Sequence, residues 1–356
     1  MLCVADRPLK IAMLGPIAWR TPPRAYGPWE LVTSLLTEAL VARGHDVTLF
    51  ATCDSFTAGT LAAVVPAPYS EDPTIDAKVW EMRHVAHAME RVSLGGDGGD
   101  FDIVHNQADF VPLGFARLIA TPMVMTLHAR PSERILPMLA EYQNDVGYVA
   151  IGESDRHPDL RYVATIPHGI DVASFPFVAE GGEDLLFFGR MHPDKGPADA
   201  IRAAARAGRR LRMAGVMQDQ GYFDRQVAPH IDGERVIYQG AIGGQARVDA
   251  LGRARAMLHL IGFDEPFGLS VVEAMACGTP VIAYRRGSME TLIDHGRTGF
   301  VVDTLDEAVE AIAQAHTIDR AACREAVRTR FSIDAMAEAY VALYRRVLDR
   351  GVSAPW

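Results

Sequence analysis

Short apolar runs rich in Val, Ile, Leu and Phe alternate along nearly the whole chain with segments in which apolar residues return every three or four positions. Runs of the first kind suit strands covered on both faces and segments of the second kind suit the helices that cover them, so the pattern predicts parallel sheets assembled from βαβ units. There are two such series. The first places strands at 10–14, 46–50, 61–65, 101–105, 122–127 and 147–151, helices at about 29–42 and 74–92, and a surface loop over 93–100. The second places strands at 185–188, 210–214, 235–238, 256–261, 280–283 and 300–302. Between them, over 161–177, the periodicity stops and Pro, His and Gly accumulate, which marks a linker. A last amphipathic segment, 333–349, would bury Ala335, Ala339, Tyr340, Leu343 and Val347.

The expected organisation is therefore a Rossmann-like domain over 1–170, a second over 171–332, and a terminal helix over 333–356 that packs back toward the first. Two doubly wound α/β domains of this kind would face each other across a cleft, with ligands at the carboxyl ends of the strands. The 356 residues suit two domains at roughly 150 each. With 49% hydrophobic and 22% charged residues the chain is neither disordered nor a small disulfide scaffold. A net charge of -10 argues against non-specific nucleic-acid binding, although a local phosphate site remains compatible with it. Cys3, Cys53, Cys277 and Cys323 lie far apart, with no zinc spacing, and are expected as reduced thiols. No apolar run spans a bilayer and the start lacks a secretory pattern, so the expected location is cytoplasmic. Five arginines, Arg202, Arg206, Arg209, Arg210 and Arg212, leave peripheral contact with the inner membrane surface open, although a solvated helix face and its C-terminal dipole explain them more cheaply.

The densest chemistry lies at 262–283, GFDEPFGLSVVEAMACGTPVIA. A strand ends, a loop carries Glu265, Pro266, Phe267 and Gly268, and a helix opens near Leu269 and Ser270, where free backbone N–H groups and the helix dipole favour a diphosphate. Glu265 and Glu273 can accept paired hydrogen bonds from sugar or ribose hydroxyls on either side of it. Arg190 after a strand and Lys195 before the next helix supply a forked donor and a point charge to a phosphate. No GxGxxG follows the first strand and no GxxxxGK[ST] occurs, which excludes a dinucleotide dehydrogenase and a P-loop ATPase.

The EPFGL…EAMACGTPV segment resembles the nucleotide-sugar signature of the family 4 retaining glycosyltransferases, which have the GT-B fold. FFGRMHPDKG (Phe188, Gly189, Arg190, Lys195, Gly196) is similar to the family's Gly-Arg…Lys-Gly element, and PHGID at 167–171 to its Asn-Gly-Ile-Asp block, with His168 in place of Asn. YGPWE…RGHDV at 26–47 resembles its opening, and the strand ends at His105 and His128 match in order. The resemblance runs from about residue 10 to about 302. It implies transfer of a sugar from a UDP- or GDP-sugar to an acceptor hydroxyl with retention, without a metal or other cofactor. In that scheme Arg190 and Lys195 hold the pyrophosphate, Glu273 the ribose and Glu265 the donor-sugar hydroxyls. His128 lies beside the sugar, and the loop Gly240, Ala241, Ile242 lies near the base. The catalytic set is then His128, Arg190, Lys195 and Glu265, and the donor set adds Gly27, Gly189, Phe267, Gly268, Leu269, Ser270 and Glu273. One departure stands out: where the family has two adjacent glycines, Gly27 is followed by Pro28, which has no N–H to offer a phosphate. GSMET at 287–291, with Ser288 in place of a glycine, reads as packing. A nucleotide-sugar epimerase or hydrolase, or a non-catalytic nucleotide-sugar binder, would use the same donor half.

Overall fold

The computed structural model describes residues 7–24, 26–94 and 101–352, and the chain divides into two units, Met1–Gly169 with Ile333–Trp356, and Ile170–Ser332. Cys3 and residues 95–100 of the expected loop lie outside the described residues.

The first unit runs β1 (Lys10–Leu14), α1 (Pro28–Ala42), β2 (Asp46–Thr52), β3 (Thr60–Val65), α2 (Ala77–Leu94), β4 (Ile103–Asn106), β5 (Met123–Leu127), α3 (Leu136–Tyr142), β6 (Val146–Ala150) and β7 (Tyr162–Thr165). Its sheet is parallel in the order β3-β2-β1-β4-β5-β6-β7. The strands β4, β5 and β6 are buried along their whole length, as expected of central strands in a sheet covered on both faces, and their few polar residues, His105, Asn106 and Thr126, are buried with them. The chain moves outward from β1 to β3 and returns to lay β4 on the other side of β1. The strand order thus reverses between β1 and β4.

The second unit repeats the scheme with β8 (Leu185–Phe188), α4 (Pro197–Arg206), β9 (Leu211–Ala214), α5 (Gln220–Gln226), β10 (Val236–Tyr238), α6 (Gly244–Arg253), β11 (Ala256–His259), α7 (Leu269–Ala276), β12 (Val281–Tyr284), α8 (Met289–Leu292), β13 (Gly299–Val302), α9 (Leu305–Gln314) and α10 (Arg320–Arg330). Its order, β10-β9-β8-β11-β12-β13, reverses between β8 and β11. The last helix, α11 (Ile333–Arg350), belongs to the first unit.

Several expectations are corrected. The linker of 161–177 contains the edge strand β7, which at four residues with a proline close behind shows too little alternation to be read as one. The strand expected from 101 starts at Ile103, because the Asp102 carboxylate accepts from the Lys10 backbone N–H at 2.8 Å and anchors the approach to β4. The helix expected to end at 92 runs on to Leu94. The strand expected to reach 261 ends at His259. The apolar face of α11 is Met336, Ala337, Tyr340, Leu343, Tyr344 and Val347, whereas Ala335 and Ala339 are only half-buried. The two tyrosine hydroxyls on that face explain the shift, since each finds a buried partner. Tyr340 Oη lies 2.7 Å from Thr126 Oγ1 and Tyr344 Oη 2.6 Å from His105 Nδ1, while His105 Nε2 bonds Thr126 Oγ1 at 2.8 Å. His105 is thereby a structural residue, fully buried in a closed hydrogen-bond network.

Candidate active site

Because β8 and β11 are neighbours, the loops that follow them meet although they are 70 residues apart: Lys195 Nζ donates to Glu265 Oε2 at 2.6 Å. The β8 loop is shaped to reach that point. Gly189 N–H bonds Ala214 O at 3.0 Å, and a tight turn over Pro193–Lys195 follows, its first N–H groups partly satisfied by the His192 imidazole. Gly196 closes the turn at φ 67°, and a Cβ there would sit 1.8 Å from Leu260 O, so only glycine lets the two loops touch. A hydrogen bond of 2.7 Å from Gly262 N–H to Asp194 O joins them again.

The β11 loop is held from its other side by the 287–291 block. Ser288 N–H donates to Glu265 O at 3.0 Å and its Oγ to Phe267 O at 2.5 Å, and Gly287 N–H reaches Asp264 Oδ1 at 3.1 Å. The block expected as packing therefore packs against the site loop itself. Gly268, at φ 93°, turns the chain into α7, whose first residues are Leu269 and Ser270. Phe267 points its ring into the unit, buried against Phe331 at 5.9 Å, so it offers a ligand its backbone only.

Glu265 has a second neighbour that the sequence did not single out. His259, the last residue of β11 and almost fully buried, places Nε2 3.6 Å from Glu265 Oε2. Burial pushes the Glu265 pKa upward, but His259 and Lys195 outweigh it and hold the carboxyl down at about 2, ionised and fixed in place. Lys195 also lies 4.5 Å above the Phe263 ring. Arg190 is steadied by Gln218 Oε1 and, at 3.1 Å, by Asp194 Oδ2. Glu273, in α7 and 2% exposed, pairs with Arg247 of α6; burial raises its pKa and Arg247 counters the rise. Gly240, Ala241 and Ile242 form the loop between β10 and α6. That loop is tied back where Gly215 N–H bonds Gly240 O at 2.9 Å.

In the first unit Gly27 caps α1 at φ 145°, and a Cβ there would meet Pro23 Cβ at 2.9 Å and Glu30 Oε2 at 3.0 Å. Pro28 occupies the first helical position, where an N–H would have no intrahelical acceptor, so its presence costs the helix nothing. His128 follows β5, buried between the Trp29 ring, stacked at 4.8 Å, and His168, whose Nε2 lies 3.3 Å from His128 Nδ1. Burial and then the neighbouring His168 hold His128 well below the ordinary histidine range, as a neutral imidazole.

Sequence reasoning missed His259, Arg247, Gln218 and Trp29 as partners of the site. His259 could have been found by ending its strand two residues earlier and Trp29 stands within the YGPWE segment, whereas Arg247 and Gln218 carried no motif. Each of the five arginines noted above has a carboxylate partner, Asp199, Asp306, Glu183 or Asp184, which favours a solvated face. Among the described residues no group of three His, Cys, Asp or Glu is placed to hold a metal ion, and no helix is long and apolar enough to cross a membrane.

Two Rossmann-like parallel units, with a Lys–Glu–Arg cluster where the second sheet reverses its strand order, define a GT-B glycosyltransferase. Residues 30–174 match the family model described as Glycosyltransferase Family 4 and residues 174–330 that of Glycosyl transferases group 1, and the chain belongs to family 4 of the glycosyltransferases. It is 28% identical over 373 residues to a glycogen synthase of Mycobacterium tuberculosis, covering 89% of this chain and 90% of that one. It is 26% identical over 322 residues to a D-inositol 3-phosphate glycosyltransferase of Pseudarthrobacter chlorophenolicus, covering 75% and 76%. Among solved structures it matches Anabaena HepE, in complex with UDP and glucose, with a TM-score of 0.70 at 18% identity over 94% of this chain and 98% of that one.

Proposed function

We propose that the enzyme transfers a sugar from a nucleoside-diphosphate sugar to an acceptor hydroxyl with retention at the anomeric carbon and without a metal ion. The observation that carries this is the pairing of Lys195 with Glu265 beside Arg190 at the β8/β11 reversal, since it gathers a phosphate-binding charge and a hydroxyl-binding carboxylate at one point. UDP is the first nucleotide to test, because the matched structure HepE holds it.

In this scheme the bond from the anomeric carbon to the β-phosphate oxygen breaks, and negative charge grows on the diphosphate. Arg190 and Lys195 bind that charge together with the N–H groups opening α7, the part a divalent cation plays elsewhere. Glu265, already ionised, accepts hydrogen bonds from the donor sugar's hydroxyls. Glu273 accepts from the ribose through the oxygen that Arg247 leaves free. His128, neutral, contacts the sugar from the first unit. The acceptor hydroxyl attacks on the face that the diphosphate leaves and passes its proton to the departing phosphate oxygen.

Thermal shift with UDP, GDP and their glucose conjugates tests the donor. A nucleotide at 100 times its Kd stabilises by about 2.7 kcal/mol, which is readily seen. The expected result is a shift with one nucleotide that Arg190→Ala abolishes; no shift with any of them would end the proposal. Sugar release that no acceptor accelerates would instead favour a hydrolase.

A further inference from the structure

The loops that follow β1 and β4, at the first unit's own strand reversal, enclose a cavity of about 410 Å³. Its walls are aromatic: Trp19, Tyr26, Trp29, Tyr69 and Phe110, of which Tyr26, Trp29 and Phe110 are exposed. Its charged groups are all acidic. Glu30, Glu81 and Asp109 line it, and no Lys or Arg is among the lining residues. His84 adds an acceptor. Its Nε2 bonds Gly15 O at 2.9 Å and so carries the hydrogen, burial holds the ring neutral with a pKa of about 4, and Nδ1 is buried without a partner. Asp109 stands at φ 67°, unusual for a residue other than glycine. The turn is locked by Asn106, whose Nδ2 donates to Asp109 O at 2.8 Å while its Oδ1 accepts from Ala108 N–H at 2.8 Å. A backbone held there against its preference is a feature of built sites.

A ligand for such a cavity must bring donors, present an apolar face to the aromatic rings, and avoid adding negative charge beside Glu81 and Asp109, which already repel one another. Hydroxyl groups meet the first need, a sugar ring face the second, and a protonated amine relieves the third while stacking over Trp or Tyr. We propose that this cavity is the acceptor site and selects a hydroxyl-rich acceptor that bears an amino group and no phosphate. The proposal rests on the glycosyltransferase reading above, and Trp29 links the two, since it lines the cavity and stacks on His128.

Trp19 and Trp29 report on the cavity directly, so fluorescence titration with glucosamine, glucose and glucose 6-phosphate tests the selection. Glucosamine is expected to bind about tenfold more tightly than glucose 6-phosphate and more tightly than glucose, with Glu81→Gln removing its advantage over glucose. No response to glucosamine, equal or tighter binding of glucose 6-phosphate, or an unchanged preference in Glu81→Gln would each overturn the proposal. UDP binding by thermal shift, run on the same proteins, shows that the variant is folded. It also separates the two ideas: UDP binding without amine selectivity ends this proposal alone, and amine selectivity without nucleotide binding ends the donor scheme alone.

Discussion

Both sheets reverse their strand order once, and the two reversals are furnished in opposite ways. At β8/β11 the loops bring Arg190, Lys195, Glu265 and His259 into one cluster in which opposite charges are paired. At β1/β4 the loops bring aromatic rings and Asp109, to which α1 and α2 add Glu30 and Glu81, and no Lys or Arg lines the cavity. The same topology therefore gathers paired charges in one unit and an acidic, aromatic cavity in the other. The fold sets where ligands go, and loop residues set which ligands those are.

The contrast can be broken hardest at its charged end. Lys195→Ala should lower kcat/KM by roughly a hundredfold to a thousandfold, as loss of a donor to a developing oxyanion does, and leave glucosamine titration of Trp fluorescence unchanged. Equal damage to both would mean that the reversals are not separate sites. Next comes Gly196→Ala. Its Cβ would sit 1.8 Å from Leu260 O, and a loss of roughly 2–4 kcal/mol is expected in calorimetry of the whole chain. Trp19, Trp29 and Trp80 lie in the first unit, so their fluorescence should follow that unit and miss this change.

Tyr344→Phe reverses the test, since it strips His105 Nδ1 of its buried partner; a loss of about 1–3 kcal/mol should appear in the tryptophan signal while UDP binding persists. The smallest effect is pH dependence. Burial holds His84 at about 4 and both His105 and His168 at about 3, below the ordinary 6.5. Stability from these neutral rings is complete above pH 6.5 and drains as pH falls, because the unfolded chain takes up protons first. His128, held low likewise, adds to this loss, and Glu30 and Asp109, raised by burial, oppose it in part, leaving a net fall in stability as pH drops below 6.5. Glu265, held at about 2, keeps its contribution until pH drops below about 4.5. Between those limits the first unit alone should weaken, and chemical denaturation followed by tryptophan fluorescence at pH 7 and pH 5 decides it.

Much of the sheet was legible because parallel strands buried on both faces are written as largely apolar runs, as in VGYVA of β6. Edge strand β7 was not, since a strand paired on one side needs less apolar sequence and YVAT sits close to a proline. The dense loops of the second unit displayed Glu265, Lys195 and Arg190 because a strand-to-helix turn concentrates glycines and charges in few residues. Their partners were hidden for a topological reason. His259 and Arg247 meet Glu265 and Glu273 only once the strand order and the α6/α7 packing exist. The aromatic cavity was hidden likewise, its walls drawn from 16 to 111 without any compact motif.

The position of α11 also bears on how the protein is made. The first unit's core contains Tyr340 and Tyr344, which are translated only after all of 170–332 has been synthesised. His105 and Thr126 must wait for the hydroxyls that complete their hydrogen bonds, so the unit that begins first finishes second. During synthesis the second unit can close on its own residues while the first is still missing a helix, which makes that waiting unit the natural client for a chaperone.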